Sequence, residues 1–277
     1  MKITVKIAVI ISLLVSCKGK NEQMKQEVFR NEELTISLID KGTWVVETAD
    51  QVSMYILEGE NRAMLIDTGT KCEGLDSIVR QITGKPLYVV LTHNHDDHSG
   101  NIRYFDEVYM HPADTLVPGG CFNGKYLWLQ DGDSFDLGGR KIEVHLMRGH
   151  TPGSVILVDR SIHAAFTGDT FGSGLVWLQL RPIVPVTEYY QSCLRMEQLM
   201  KEEKIVKLYV GHYPHVNRTL DLNYIVAMKE LAKRLCDGDT AGAEVYPMTG
   251  FDIACEKPMS IKNEVTMIVF DSESIKN

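Results

Sequence analysis

Leu91-Thr92-His93-Asn94-His95-Asp96-Asp97-His98-Ser99-Gly100 places three histidines and two aspartates within six residues, directly after an apolar run. That run, Pro86-Leu87-Tyr88-Val89-Val90-Leu91, is short and β-rich, as a buried strand is. The polar segment therefore falls on the loop at the strand's C-terminal end, where a rigid sheet holds loops in place for chemistry. His93 and His95 are two apart and point the same way in extended chain. Asp97 and His98 follow once the backbone turns, so one loop can surround two adjacent cation positions. Imidazole and carboxylate together suit zinc, with iron or manganese as alternatives. The competing reading is a solvated loop rich in histidine by chance. Only nine histidines occur in 277 residues, and three of them in six positions argues for metal ligation.

His93-Asn94-His95-Asp96-Asp97-His98 resembles the HxHxDH signature of the metallo-β-lactamase superfamily. Three further motifs of that family's pattern follow in order: Gly149-His150-Thr151-Pro152-Gly153-Ser154, Phe166-Thr167-Gly168-Asp169-Thr170 and Val210-Gly211-His212. The resemblance implies an α/β (α+β) architecture, a four-layer αββα sandwich of two similar halves occupying residues 30–277, with the site along one edge. It assigns His93, His95 and His150 to one metal and Asp97, His98 and His212 to a second, with Asp169 bridging. It thereby implies a hydrolase carrying two zinc ions, in which a hydroxide between the metals attacks the carbonyl carbon of an ester, lactone, thioester or amide. Asp97 would orient that nucleophile as well as bind metal. Asp67 would support a ligand histidine from behind; on its residues alone, Asp67-Thr68-Gly69 reads equally as a turn.

Within the resemblance, Asp169 stands where one β-lactamase subgroup has cysteine, and His95 argues against the flavodiiron branch. A glutathione-binding helical tail is not expected either, because residues 243–248 and 261–270 read as strands. The rival functions are a β-lactamase proper and a metal-binding lipoprotein without turnover; a one-iron sulfur dioxygenase is more distant. Trp177, Leu178 and Arg181, after Asp169, and His215, after His212, are the candidates for substrate contact. His111, His145 and His163 lack partners at motif spacing and read as ordinary.

Residues 1–16 read as a signal peptide, with Lys2 and Lys6 ahead of an apolar stretch at residues 7–15 that is too short to span a bilayer. Leu14-Val15-Ser16-Cys17 resembles a bacterial lipobox, which implies cleavage before Cys17 and lipidation there. The alternative is an ordinary secretory signal; both imply export. Residues 17–29 then form a lipidated tether, and the mature chain is expected in the cell envelope, held to the membrane through Cys17. Removing residues 1–16 takes away two lysines and moves the net charge from −8 to −10. An acidic body excludes nucleic acid as the main partner and leaves a small-molecule substrate. Of six cysteines, the five after Cys17 are widely spaced without a CxxC pair, and they read as small buried apolar groups.

Between these landmarks, residues 34–68 carry four β-like runs separated by turn residues, and residues 73–82 have helical apolar spacing. A helix is expected to begin at residues 100–105. Residues 118–128, rich in glycine and aromatics, read either as a wall of the substrate cleft or as the start of a core strand. Residues 188–203 and 220–235 read as helices, with a strand at 205–210 feeding His212. Nothing in the sequence constrains the oligomeric state.

Overall fold

The computed structural model describes residues 25–70, 72–120, 122–248 and 253–276. The expected signal peptide, Cys17 and Cys121 lie outside them. Eight strands form the first sheet, in the order Gln26–Arg30, Leu34–Asp40, Thr43–Thr48, Ser53–Glu58, Ala63–Ile66, Leu87–Val90, Glu107–Met110 and Lys125–Trp128. The first five pair antiparallel through short turns. Pairing is parallel from Ala63–Ile66 onward. Its first parallel crossover carries the helix Leu75–Ile82, as a parallel connection requires.

Both faces of the sheet's central strands are buried, and the two-residue period of a strand sorts their side chains between two cores. Tyr55, Leu57, Met64, Ile66 and Val90 face the second half of the molecule, whereas Met54, Ile56, Leu65 and Val89 pack with Leu75, Ile78 and Val79 of the helix. These strands consequently read as continuous apolar runs instead of alternating ones.

The second half pairs Lys207–Val210, Ala164–Gly168, Val155–Asp159, Lys141–Leu146 and Ser134–Asp136 in one sheet, and Leu175–Trp177, Met267–Asp271, Pro258–Lys262 and Glu244–Val245 in another. The helices Val186–Glu203 and Leu222–Cys236 send Tyr189, Met196, Met200, Met228, Leu231 and Leu235 into the same core. The layers are those of an αββα sandwich, as expected.

Three local expectations change. Residues 26–29, expected within a solvated tether, instead belong to Gln26–Arg30, which pairs antiparallel with Leu34–Asp40 as an edge strand. An edge strand buries little, so its polar composition resembled that of a solvated linker; only Phe29 packs on the core. Residues 100–105 hold only the short 3₁₀ turn Ile102–Tyr104. The run at 261–270 is split between two strands by Asn263, whose side-chain oxygen accepts from the backbone N–H groups of Val265 and Thr266 at 2.9 Å each.

The register brings the strand ends that carry the motifs to one end of the sandwich. Ile66 pairs with Val90, so Asp67 and the loop beginning at Leu91 leave side by side. Gly168 pairs with Val210 in parallel, placing Asp169 next to Gly211-His212. Leu146 pairs with Val155, so the hairpin holding His150 closes at that same end. The two halves are stitched there by Val155 N–H to the Thr92 carbonyl at 2.9 Å, Ser53 N–H to the Gly211 carbonyl at 2.7 Å, and the Tyr55 hydroxyl to the Val210 carbonyl at 2.7 Å.

Candidate metal centre

After His95 the chain turns into the single helical turn Asp96–Ser99, in which the N–H groups of His98 and Ser99 both donate to the His95 carbonyl at 2.9 Å. This turn folds His98 back beside His93, their ring centres 4.3 Å apart. Seven side chains then converge in two groups: His93, His95 and His150 in one, Asp97, His98, Asp169 and His212 in the other. Within each group the ligand-type atoms all lie within 4.8 Å of one another. All seven expected ligands are therefore brought together.

Outer contacts fix which nitrogen each imidazole turns inward. His98 Nδ1 lies 3.0 Å from Asp67 Oδ2, His150 Nδ1 is 2.8 Å from the Trp177 carbonyl, and His212 Nδ1 is 3.2 Å from the Gln51 carbonyl. His93 Nδ1 meets Thr92 Oγ1 at 3.1 Å. These four rings present Nε2 to the centre, and His95 presents Nδ1, 2.9 Å from His150 Nε2. A carbonyl only accepts, so neutral His150 carries its proton on Nδ1 and turns a lone pair inward.

Asp67 does what the resemblance implied: it also accepts from Thr92 N–H at 2.7 Å and from the Thr92 hydroxyl at 2.8 Å, holding the root of the histidine loop. Gly168 and Gly211 are among the motif glycines that close approach requires. A Cβ on Gly168, at φ 48°, would sit 2.2 Å from Thr92 Oγ1, and one on Gly211 would sit 2.2 Å from Asp169 Oδ1.

Asp169 Oδ2 faces both groups, at 3.1 Å from His212 Nε2, 3.6 Å from His98 Nε2 and 3.9 Å from His150 Nε2. Buried His93 Nε2, His98 Nε2 and Asp169 Oδ1 have no hydrogen-bond partner among the described residues. Each such orphan costs about 1–3 kcal/mol, and all three belong to the convergent set, which suits a divalent cation. The charges are divided unequally. Burial, then the neighbouring imidazoles, hold His93 well below the usual histidine range; burial, then His150, lowers His95 to about 3. Burial opposes charge on His98 and His212 too, yet Asp97 and Asp169 hold His98 far above its usual value, and Asp169 and Asp97 raise His212 to about 10. The three-histidine group is thus neutral, and the other pairs two carboxylates with two imidazoliums.

The cluster floors a cleft of about 570 Å³ lined by Val52, Leu175, Trp177, Leu180, His215 and Ile253 among others. Trp177 and His215 line it as expected, His215 stacking on His212 at 5.0 Å. Arg181 and Leu178 do not line it: Arg181 is exposed, and Leu178 is in the core. Of residues 118–128, Pro118 lines the cleft, and Gly119 and Gly120 press on the ligand loop, where a Cβ would sit 2.4 Å from the Asn94 carbonyl and 2.0 Å from that of Ser99. Lys125–Trp128 is instead the edge strand of the first sheet, so the stretch is both wall and strand. Sequence reasoning missed the carbonyls of Gln51 and Trp177, which any residue type supplies, and Val52, Leu175, Leu180 and Ile253, which look like core. Cys72, Cys193, Cys236 and Cys255 are free thiols away from the cluster.

An αββα sandwich with a histidine–carboxylate cluster at its strand ends defines a class of metal-dependent hydrolases. The chain belongs to the metallo-β-lactamase superfamily, whose family model matches residues 48–212, more than half of its length, and it is a hydrolase of that superfamily. It is 28% identical over 209 residues to the acyl-coenzyme A thioesterase MBLAC2 of Gallus gallus, covering 60% of this chain and 74% of that protein. It is 27% identical over 173 residues to the hydroxyacylglutathione hydrolase of Francisella philomiragia subsp. philomiragia, covering 61% and 66%. The mono-zinc form of the metallo-β-lactamase FIM-1 from Pseudomonas aeruginosa superposes with a TM-score of 0.59 at 18% identity, over 73% of this chain and 96% of that one. At that identity the likeness concerns the fold alone.

Proposed function

We propose that this hydrolase holds two divalent cations, zinc in the cell, and cleaves small-molecule carbonyl substrates, thioesters first among them. The observation that carries the reading is the position of Asp169 Oδ2, within 3.9 Å of inward-facing nitrogens from both ligand groups. Bound there, two cations supply Lewis acidity and a water acidic enough to act as a nucleophile near neutral pH. Asp97, whose carboxylate His98 and His212 keep ionised down to about 2 against the effect of burial, is the most exposed member of the set. It lines the cleft and is placed to orient the attacking water and take its proton.

The names of the acyl-coenzyme A thioesterase and hydroxyacylglutathione hydrolase relatives support acyl transfer to water. The cleft lining supports an uncharged acyl group: Val52, Pro118, Leu175, Trp177, Leu180 and Ile253 are apolar, and no lysine or arginine lines the cleft among the described residues. The lipobox-like Leu14-Val15-Ser16-Cys17 supports a mature chain anchored in the bacterial envelope.

The test is zinc content per chain, then hydrolysis of thioester, lactone, β-lactam and phosphoester substrates after reloading. Two zinc ions with thioester turnover are expected, and catalytic efficiency should rise about fourfold per added acyl methylene until the cleft is filled, from about 0.8 kcal/mol each. Expressed in full length in a bacterium, the protein should sediment with membranes and Cys17→Ala should release it. One iron per chain, or turnover of β-lactams alone, would replace this reading.

A further inference from the structure

Asp114 is 1% exposed and lies in the short 3₁₀ turn Pro112–Leu116, just past the strand Glu107–Met110 that neighbours Leu87–Val90. It has no place in either ligand group. Its carboxylate reaches two loops at once. Oδ2 accepts from the backbone N–H of Asn94 at 3.2 Å and from the Thr151 hydroxyl at 2.8 Å, while Oδ1 accepts from Gly153 N–H at 2.5 Å. Asn94 is the residue between His93 and His95, and Thr151 and Gly153 form the turn that follows His150.

Further hydrogen bonds surround it. The Asn94 side-chain amide donates to the Asp114 carbonyl at 3.4 Å and to the Val117 carbonyl at 3.0 Å. Thr151 Oγ1 is 2.7 Å from Ser154 Oγ, which accepts from Thr151 N–H at 3.1 Å. If the Ser154 hydroxyl donates to Thr151, the Thr151 hydroxyl is free to donate to Asp114. The approach is so close that a Cβ on Gly153 would sit 2.6 Å from Asp114 Oδ1, which accounts for the glycine in Thr151-Pro152-Gly153.

We infer that Asp114 is a positioning residue for the three-histidine group, setting the separation of the loop that carries His93 and His95 from the turn that carries His150. Those loops belong to different halves of the sandwich, and His95 Nδ1 and His150 Nε2 meet across the gap at 2.9 Å. The Asp114 carboxylate is a single rigid group bonded to both sides of it. Asp114 makes no hydrogen bond with Asp97, His98, Asp169 or His212 among the described residues, so its contacts lie behind one group and not the other. Carboxylates behind metal ligands commonly change affinity by about 10–100-fold when removed.

The inference rests on the cluster's binding zinc, and its test separates the two. Zinc alone is titrated into the metal-free full-length wild type, Asp114→Asn, His150→Ala and the double variant, with the bound count and thermal melting followed in each. Wild type that takes up no zinc overturns the metal reading itself. With wild type binding two ions, Asp114→Asn is expected to weaken one binding event at least about tenfold and leave the other in place. In the His150→Ala background, where the three-histidine group is already incomplete, the same substitution should change the remaining event by less than about twofold. Equal weakening of both events, equal effects in the two backgrounds, or unchanged zinc binding overturns the inference. Should Asp114→Asn fail to fold, Thr151→Val removes only the arm to the His150 turn and is expected to weaken the same single event by a smaller factor.

Discussion

Replacing Asp169 with alanine is expected, on the proposed two-zinc reading, to lower bound zinc from two per chain to one or none and to cut turnover by about three orders of magnitude, since a carboxylate shared by both cations would underlie several kcal/mol of transition-state stabilisation. Asp169 Oδ2 is the atom that faces His98, His150 and His212 together, so no other carboxylate on these loops can take its place. Its charge also organises the metal-free site. With Asp97 it keeps His98 and His212 protonated there, so a cation entering that group must expel protons, and zinc binding strengthens as pH rises. In Asp169→Ala that proton release should shrink along with the affinity, which calorimetry in buffers of different ionisation enthalpy would measure. A variant that still binds two zinc ions would remove Asp169 from the bridging position.

The convergent set was legible in the sequence through one crowded loop, which carries His93, His95, Asp97 and His98, and through the resemblance, which placed His150, Asp169 and His212 on the family's later motifs. Its order along the chain carried the fold as well, since each motif follows or closes a strand of the sandwich. The supporting layer was far less legible. Gln51 and Trp177 hold His212 and His150 through carbonyl oxygens, which leave no trace in residue type. Asp114 has an ordinary sequence context, Pro112-Ala113-Asp114-Thr115, and acquires its two-sided contact only when the parallel strand before it is set beside Leu87–Val90. Arg181 failed as a substrate contact for a comparable reason. It is near Asp169 in sequence, but the cleft wall runs through Trp177 and Leu180, and Arg181 is exposed outside it. Gln26–Arg30 was misread because a strand that buries only Phe29 has almost no apolar pattern to offer.

Arg140 and Asp159, which the motif pattern does not involve, should yield the largest loss of stability. They lie at the opposite end of the sandwich from the cluster, since Gly42 and Glu58 border Ala63, the far end of the strand that leads to Asp67. Arg140 is 7% and Asp159 0% exposed. From the second half, the guanidinium donates to Asp159 Oδ2 at 2.6 Å and reaches across to the first sheet, to the Gly42 carbonyl at 2.5 Å, the Glu58 carbonyl at 3.1 Å and the Thr43 hydroxyl at 2.8 Å. Arg140→Met removes a donor from each of these acceptors, although the Gly42 carbonyl keeps Glu58 N–H at 2.9 Å, and it leaves a buried carboxylate without its counter-charge, a loss of about 3–5 kcal/mol. Asp159→Asn should cost less, because the arginine keeps its contacts to the first sheet. Asp159 also accepts from Ser161 N–H and its hydroxyl at 2.9 and 2.6 Å, which softens but does not offset the arginine's removal. For a domain of this size the Arg140→Met loss corresponds to a melting temperature lower by about 10 °C. Zinc content and turnover per folded chain should stay at wild-type values in both variants. An unshifted melt in Arg140→Met would show that the two halves are held by apolar packing alone; a lost zinc ion would show that the two ends of the sandwich are coupled.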